Sequence, residues 1–130
     1  MGKGISPSQL DSALSAVLEE YSTEVYKGVK RAVDTTAKAV DKEIRRHITF
    51  RDRTGDYRRA FALRKKGSKG AGTYGKTWYA KGGQWRLTHL LEHGHLNQDG
   101  SWTRGYPHIA YGEKLALRML PEETEKELTR

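Results

Sequence analysis

Cysteine is absent from this 130-residue chain, and proline occurs only as Pro7, Pro107 and Pro121. Without cysteine there can be no disulfide framework and no thiolate metal or iron–sulfur centre. Long hydrophobic runs are missing too, since no apolar stretch approaches the roughly 18 residues of a membrane span. The opening MGKGISPSQLDSAL has no apolar segment of the kind a signal peptide needs. Gly2 opens no lipidation pattern. These absences predict a protein made and folded in a cytoplasm, with no membrane partner. Hydrophobic residues make up 35% and charged residues 31%. That composition predicts a single domain with a modest core, leaning on a partner subunit for part of its stability.

What the chain does have in quantity is helical periodicity. Leu10, Leu14, Val17, Leu18, Tyr21, Val25, Val29, Val33, Val40, Ile44 and Ile48 recur mostly every three or four residues, tracing one apolar stripe. Ser6 or Ser8 can cap the start, and Pro7 suits a first turn. A helix of ~40 residues would run ~60 Å, too long for a domain this size to cover, unless Gly28 bends or breaks it. Part of the stripe, with Leu10, Leu14, Val17, Tyr21 and Val25, is therefore expected to meet another subunit. The rest reads as a Thr54-Gly55-Asp56 turn, a strand over about Tyr57–Leu63, a mobile Gly/Lys-rich loop over Lys65–Gly75, and an aromatic strand over Lys76–Lys81. A Gly82-Gly83 turn follows, then a short helix over Leu87–His93 with Leu87, Leu90 and Leu91 as its core face and Gly94 as its cap. Asp99-Gly100 marks a hairpin turn. A last helix is predicted over about Tyr111–Leu120, kinked or ended at Pro121. The fold class is thus α+β in one domain: a long helix over 1–50, a small antiparallel sheet with an embedded short helix over 51–111, and a C-terminal helix and tail over 112–130.

The formal charge is +8, and almost all of the excess lies in the middle. Residues 51–86 hold 11 basic groups against Asp52 and Asp56. Such a balance points to an acidic partner, either nucleic acid or an acidic protein face. Arg64, Lys65, Lys66, Lys69 and Lys76 are the candidate contacts. Two strings in the chain look catalytic. Gly70-Ala71-Gly72-Thr73-Tyr74-Gly75-Lys76-Thr77 matches G-x-x-x-x-G-K-[ST], but a phosphate loop needs a buried strand before it and a helix after it. Its flanks are Arg64-Lys65-Lys66 and a strand pattern. His89-Leu90-Leu91-Glu92-His93 matches H-x-x-E-H, the inverted zinc-peptidase string, with His95 and His108 as further nitrogen ligands. A two-turn helix before Gly94 is too short for such an active site, and histidines near a helix C-terminus need no metal. No catalytic, cofactor or metal role is assigned.

The second string belongs to a wider pattern, Trp85-Arg86-Leu87-Thr88-His89-Leu90-Leu91-Glu92-His93-Gly94-His95, followed by Gly105-Tyr106-Pro107-His108-Ile109. With Thr54-Gly55-Asp56-Tyr57-Arg58-Arg59-Ala60-Phe61 as a strand entry, it resembles the tail-component family of long-tailed bacteriophages. Members of that family are described as minor tail, neck or head–tail connector proteins. The resemblance spans nearly the whole chain and departs at Tyr111-Gly112, where the family tends to a proline–alanine start. It implies a structural virion protein of the neck, completing the tail as a six- or twelve-fold ring between the head-side connector and the tail and assembled in the bacterial host cytoplasm. It also implies a structural role for Leu90, Leu91, Glu92, Gly94, His95, Pro107, His108 and Ile109. Glu92, Gly94, His95 and His108 would hold the short helix against the strand leading to Pro107, with a buried carboxylate–imidazole pair as one form of this.

The expected partners are then the chain itself, neighbouring head-closure and tail proteins, and DNA in the channel through phosphate contacts alone. The alternative is a free nucleic-acid-binding protein, with Tyr74, Trp78, Tyr79 and Trp85 interleaved among cations as a stacking surface. A small zinc-dependent peptidase is the remote third reading.

Overall fold

In the computed structural model the backbone is described for residues 7–130, and side chains for residue 20 and residues 22–130. The side chains of Leu10, Leu14, Val17 and Tyr21, and the proposed Ser6 cap, lie outside the described residues. Helix α1 spans Pro7–Arg46 without a break at Gly28. Gly28 is instead buried where α1 meets the end of the last helix, and a Cβ there would come within 3.1 Å of Leu128. Its missing side chain serves close packing.

After α1 the chain turns through Thr54 and Gly55 into one helical turn, α2 (Asp56–Arg59), and only then into strand β1 (Phe61–Lys66). The strand expected from Tyr57 therefore starts four residues late. The Asp56 amide donates to the Thr54 hydroxyl at 3.2 Å and the Arg58 amide to the Asp52 carboxylate at 3.1 Å. Side-chain acceptors at these positions favour a helix start over a strand. β1 pairs antiparallel with β2 (Gly75–Ala80), with Phe61 opposite Ala80 and Leu63 opposite Trp78. The connecting loop closes as a hydrogen-bonded turn: the Ser68 amide donates to the Thr73 hydroxyl, and the Thr73 amide to the Ser68 carbonyl, both at 3.0 Å.

A 3-10 turn at Gly82–Gln84 leads into α3 (Trp85–His93), then β3 (His95–Leu96) and β4 (Trp102–Thr103) form a second small hairpin around Asp99-Gly100. Helix α4 runs from Ile109 to Leu128 straight through Pro121. The helix thus starts two residues earlier and ends eight residues later than its apolar pattern suggests. Pro121 can supply no amide to the carbonyl four residues back. That carbonyl belongs to Leu117, which is strongly exposed, so water can satisfy it and the helix continues.

Helices α1 and α4 pack antiparallel, with Gly112 against Ile44 at one end and Leu128 against Gly28 at the other. The α1–hairpin junction holds the core: Ile44, Ile48, Tyr57, Ala60, Phe61 and Ala80 are buried together, with Val40, Phe50, Trp78, Leu91 and Ile109 packed around them. Polar groups fix the β1–β2 hairpin to α1. The Trp78 indole donates to Asp41 at 2.9 Å, and the Tyr74 hydroxyl donates to Asp34 at 2.5 Å.

Candidate functional site

Three of the residues singled out by sequence converge at the start of α4. His108 occupies the N-cap position, where serine, threonine, asparagine or aspartate normally takes up the free amides. Here the acceptor comes from a different helix. Glu92, on the last turn of α3, takes the amides of His108 and Ile109 on Oε1 at 2.8 Å each, and that of Ala110 on Oε2 at 3.0 Å. A carboxylate at a helix N-terminus also meets the positive end of the helix dipole. Burial pushes the Glu92 carboxyl up, but the three amides and the His108 ring more than offset it, and the group ionises below the usual carboxylate range.

His108 is fully buried beside it. Its Nδ1 lies 2.7 Å from the Tyr106 carbonyl and 3.1 Å from Glu92 Oε1. Both are acceptors, so Nδ1 carries the proton. Nε2 then accepts from the Tyr57 hydroxyl at 2.7 Å. Burial, with Glu92 and Asp52 acting in the same direction, pushes the Tyr57 phenol up to about 12, against a smaller opposing pull from the Thr88 hydroxyl. The result is a hydrogen-bonded clasp, Tyr57–His108–Glu92, joining α2, α3 and α4. Phe50 edges onto the imidazole at 5.3 Å. The carboxylate–imidazole contact suggested by the motif is present, although the larger part of Glu92's work is on backbone.

The glycines beside it allow the close approach. Gly94 has φ 81°, and a Cβ there would collide with the Thr103 carbonyl. A Cβ on Gly105 would sit 2.6 Å from the Gly94 amide nitrogen. With that space free, the Tyr106 amide reaches the Leu91 carbonyl at 2.6 Å. Gly105, Gly112 and the phenol of Tyr57 carry roles that local pattern does not reveal, because each role depends on an element distant in sequence.

The other motif residues separate. His95 enters β3 opposite Thr103, outside the buried clasp. Leu91 and Ile109 pack on the core, whereas Pro107 is exposed. Leu87 and Leu90, expected on the core face of α3, are exposed. The inward face is Thr88, Leu91 and Glu92, because α3 docks through its carboxylate as much as through its leucines. His89 and His93 are exposed, their rings 6.5 Å apart. Among the described residues no three His, Asp or Glu side chains are placed to hold a metal ion.

At the basic hairpin, Arg64, Lys65, Lys66 and Lys69 are exposed. Lys76 is not available with them: its ammonium lies 3.0 Å from Asp34, and its side chain is largely covered. Arg64 lies over the Tyr79 ring at 5.1 Å. Gly75, Lys76 and Thr77 of the phosphate-loop string form the start of β2, an antiparallel strand.

A long helix carries a small hairpin, and two of the buried polar side chains, Glu92 and His108, lock elements together. Residues 12–94 match the family model described as "Bacteriophage HK97-gp10, putative tail-component", and this chain belongs to that family. The matched span includes Glu92 and ends at Gly94, so Pro107, His108 and Ile109 lie beyond it. No curated protein and no solved structure matches the chain. Family membership assigns a structural role in a bacteriophage, with the virion as location and other tail or virion proteins as partners. Among the described residues no helix is long and apolar enough to cross a membrane.

Proposed function

We propose that this chain is a ring-forming subunit of the phage neck, joining the head-side connector to the tail. The length mismatch between its two main helices carries this reading. The 40 residues of α1 run ~60 Å, while the 20 residues of α4 run ~30 Å and end beside Gly28. Helix α4 thus meets α1 over the stretch from about Gly28 to Ile44. Leu10, Leu14, Val17, Tyr21 and Val25 fall before it, in a periodic apolar pattern that a neighbouring subunit would cover. Sedimentation and native mass measurement of the pure protein, alone and with its neck partners, test this. A closed multimer of defined number is expected, and a strict monomer that joins no partner ring overturns it.

Arg64, Lys65, Lys66 and Lys69 support a second element of the reading, contact with DNA in the channel through phosphates. Such contacts neutralise charge without reading bases, so affinity should fall steeply with salt and barely vary with sequence. Tight binding to DNA by a protein that stays monomeric would favour the free nucleic-acid-binding alternative.

A further inference from the structure

Charge is segregated by sign along this chain. Residues 4–26 carry Asp11, Glu19, Glu20 and Glu24 and no lysine or arginine, whereas residues 57–91 contain no aspartate or glutamate. From residue 7 the acidic stretch is helical and forms the part of α1 that lies before the end of α4. It carries the apolar stripe Leu10, Leu14, Val17, Leu18 and Tyr21, with Asp11 next to Leu10 and Glu20 next to Tyr21. One residue turns a helix by about 100°, so by the helical period these two carboxylates flank the stripe on opposite sides.

The basic stretch builds one wall of an open apolar groove of about 230 Å³. Val33, Ala37 and Val40 of α1 form its floor, Leu63 and Trp78 of the β1–β2 hairpin one wall, and Leu120 of α4 the other. Leu117, three residues before Leu120 and 79% exposed, extends the α4 wall outward. Lys66 and Tyr74 also line the groove, and Lys30 lies over the Tyr74 ring at 5.8 Å. Both lysines are exposed. The carboxylate beside them, Asp34, is already bonded to Lys76 and Tyr74. Along α4, Arg118 pairs with Glu122 at 3.7 Å and Lys114 adjoins Glu113, so that wall has no net sign. The groove is therefore apolar with a positive rim on the hairpin side.

We infer that the groove receives the first part of α1 from a second copy of this chain. Leu14, Val17 and Leu18 enter it, and the acidic flank of the helix faces Lys30 and Lys66. An amphipathic helix laid into an apolar groove through anchors three and four residues apart is a common mode of recognition. The unlike charges set its orientation and disfavour a basic occupant. Helix and groove are different surfaces, so the contact is head-to-tail, the kind that closes rings. This rests on the ring reading and adds to it which surfaces meet. Lys66 is then spent on the neighbouring copy, and the phosphate contacts fall to Arg64, Lys65 and Lys69.

Charge exchange tests the contact, with self-association followed by sedimentation at low salt and without nucleic acid, alone or with the neck partners if these are needed for the multimer. Lys30→Glu with Lys66→Glu should weaken association roughly tenfold or more, and so should Asp11→Lys with Glu20→Lys. All four changes in one chain should restore it toward the parent, because every contact then pairs unlike charges again. Loss without restoration overturns the proposal. Leu14→Glu should block the helix and Leu120→Glu the groove, leaving each variant monomeric. Mixed in equal amounts, these two should form a one-to-one pair and nothing larger, since one good surface of each kind remains. A mixture that stays monomeric overturns the proposal. Should either leucine variant lose its parent-like circular dichroism, the charge exchange decides. Unimpaired assembly of every variant overturns this contact and leaves the ring on other surfaces. A parent protein that never multimerises, alone or with neck partners, overturns both.

Discussion

Glu92 holds its charge in a buried position because three backbone amides and an imidazole replace water around it. Its pH dependence follows. The folded carboxyl ionises below its ordinary value of 4.5, so the stability it contributes is complete above that value and is lost as pH falls through the lower folded one. Glu92→Gln should therefore cost about 1–3 kcal/mol at neutral pH, and denaturant unfolding should show the gap to the parent narrowing as pH drops below 4.5. Tyr57 gives the opposite sign. Its phenol is pushed up to about 12 from 10.0, so its contribution is complete below pH 10 and disappears as pH rises through 12. In a spectroscopic titration, Tyr57→Phe should remove a late phenolate step. The same change leaves His108 Nε2 without its donor and should lower stability by about 1–3 kcal/mol. The sequence marked Glu92 and His108 because they stand in an H-x-x-E-H string and a P-H-I motif. It could not show that Glu92 caps another helix, because that acceptor lies 16 residues from the first amide it serves.

At the scale of elements, the long helix was legible from its apolar stripe and the end of α3 from Gly94, whereas the ends of α4 were not. The start of α4 is set by Glu92 from α3, and its passage through Pro121 by the exposure of Leu117. The meeting of α1 and α4 depends on Gly112, where a Cβ would stand 2.6 Å from Ile44 Cγ1 and 3.2 Å from Val40. Gly112→Ala gains helix propensity but must push the helices apart. Thermal unfolding should show a net loss of about 1–3 kcal/mol. The adjacent Tyr111 stacks on His47 at 3.6 Å, nearly parallel. Tyr111 and Gly112 thus form the point where the start of α4 meets α1.

For the whole molecule, the +8 charge divides by accessibility. Lys76 is held by Asp34, leaving Arg64, Lys65, Lys66 and Lys69 at the hairpin tip. If these face DNA in the assembled neck, changing Lys65, Lys66 and Lys69 to Gln should flatten the slope of log affinity against log salt by roughly 0.9 for each phosphate no longer neutralised. Lys76→Gln should leave that slope unchanged and instead loosen the hairpin from α1, read as a lower melting temperature.

The sequence by itself determined the α+β class, the long first helix, the two turn-rich hairpins and the concentration of positive charge over residues 51–86, because periodicity, turn chemistry and composition act over a few residues. It also carried the family, through a local order of motifs. Only the tertiary structure decided what those motif residues do. Two exposed leucines on α3, a glutamate capping another helix and a lysine withdrawn from the basic tip all depend on groups far away in the chain. Burial and hydrogen bonding are settled by whichever element arrives opposite, and a residue's own neighbours do not specify that.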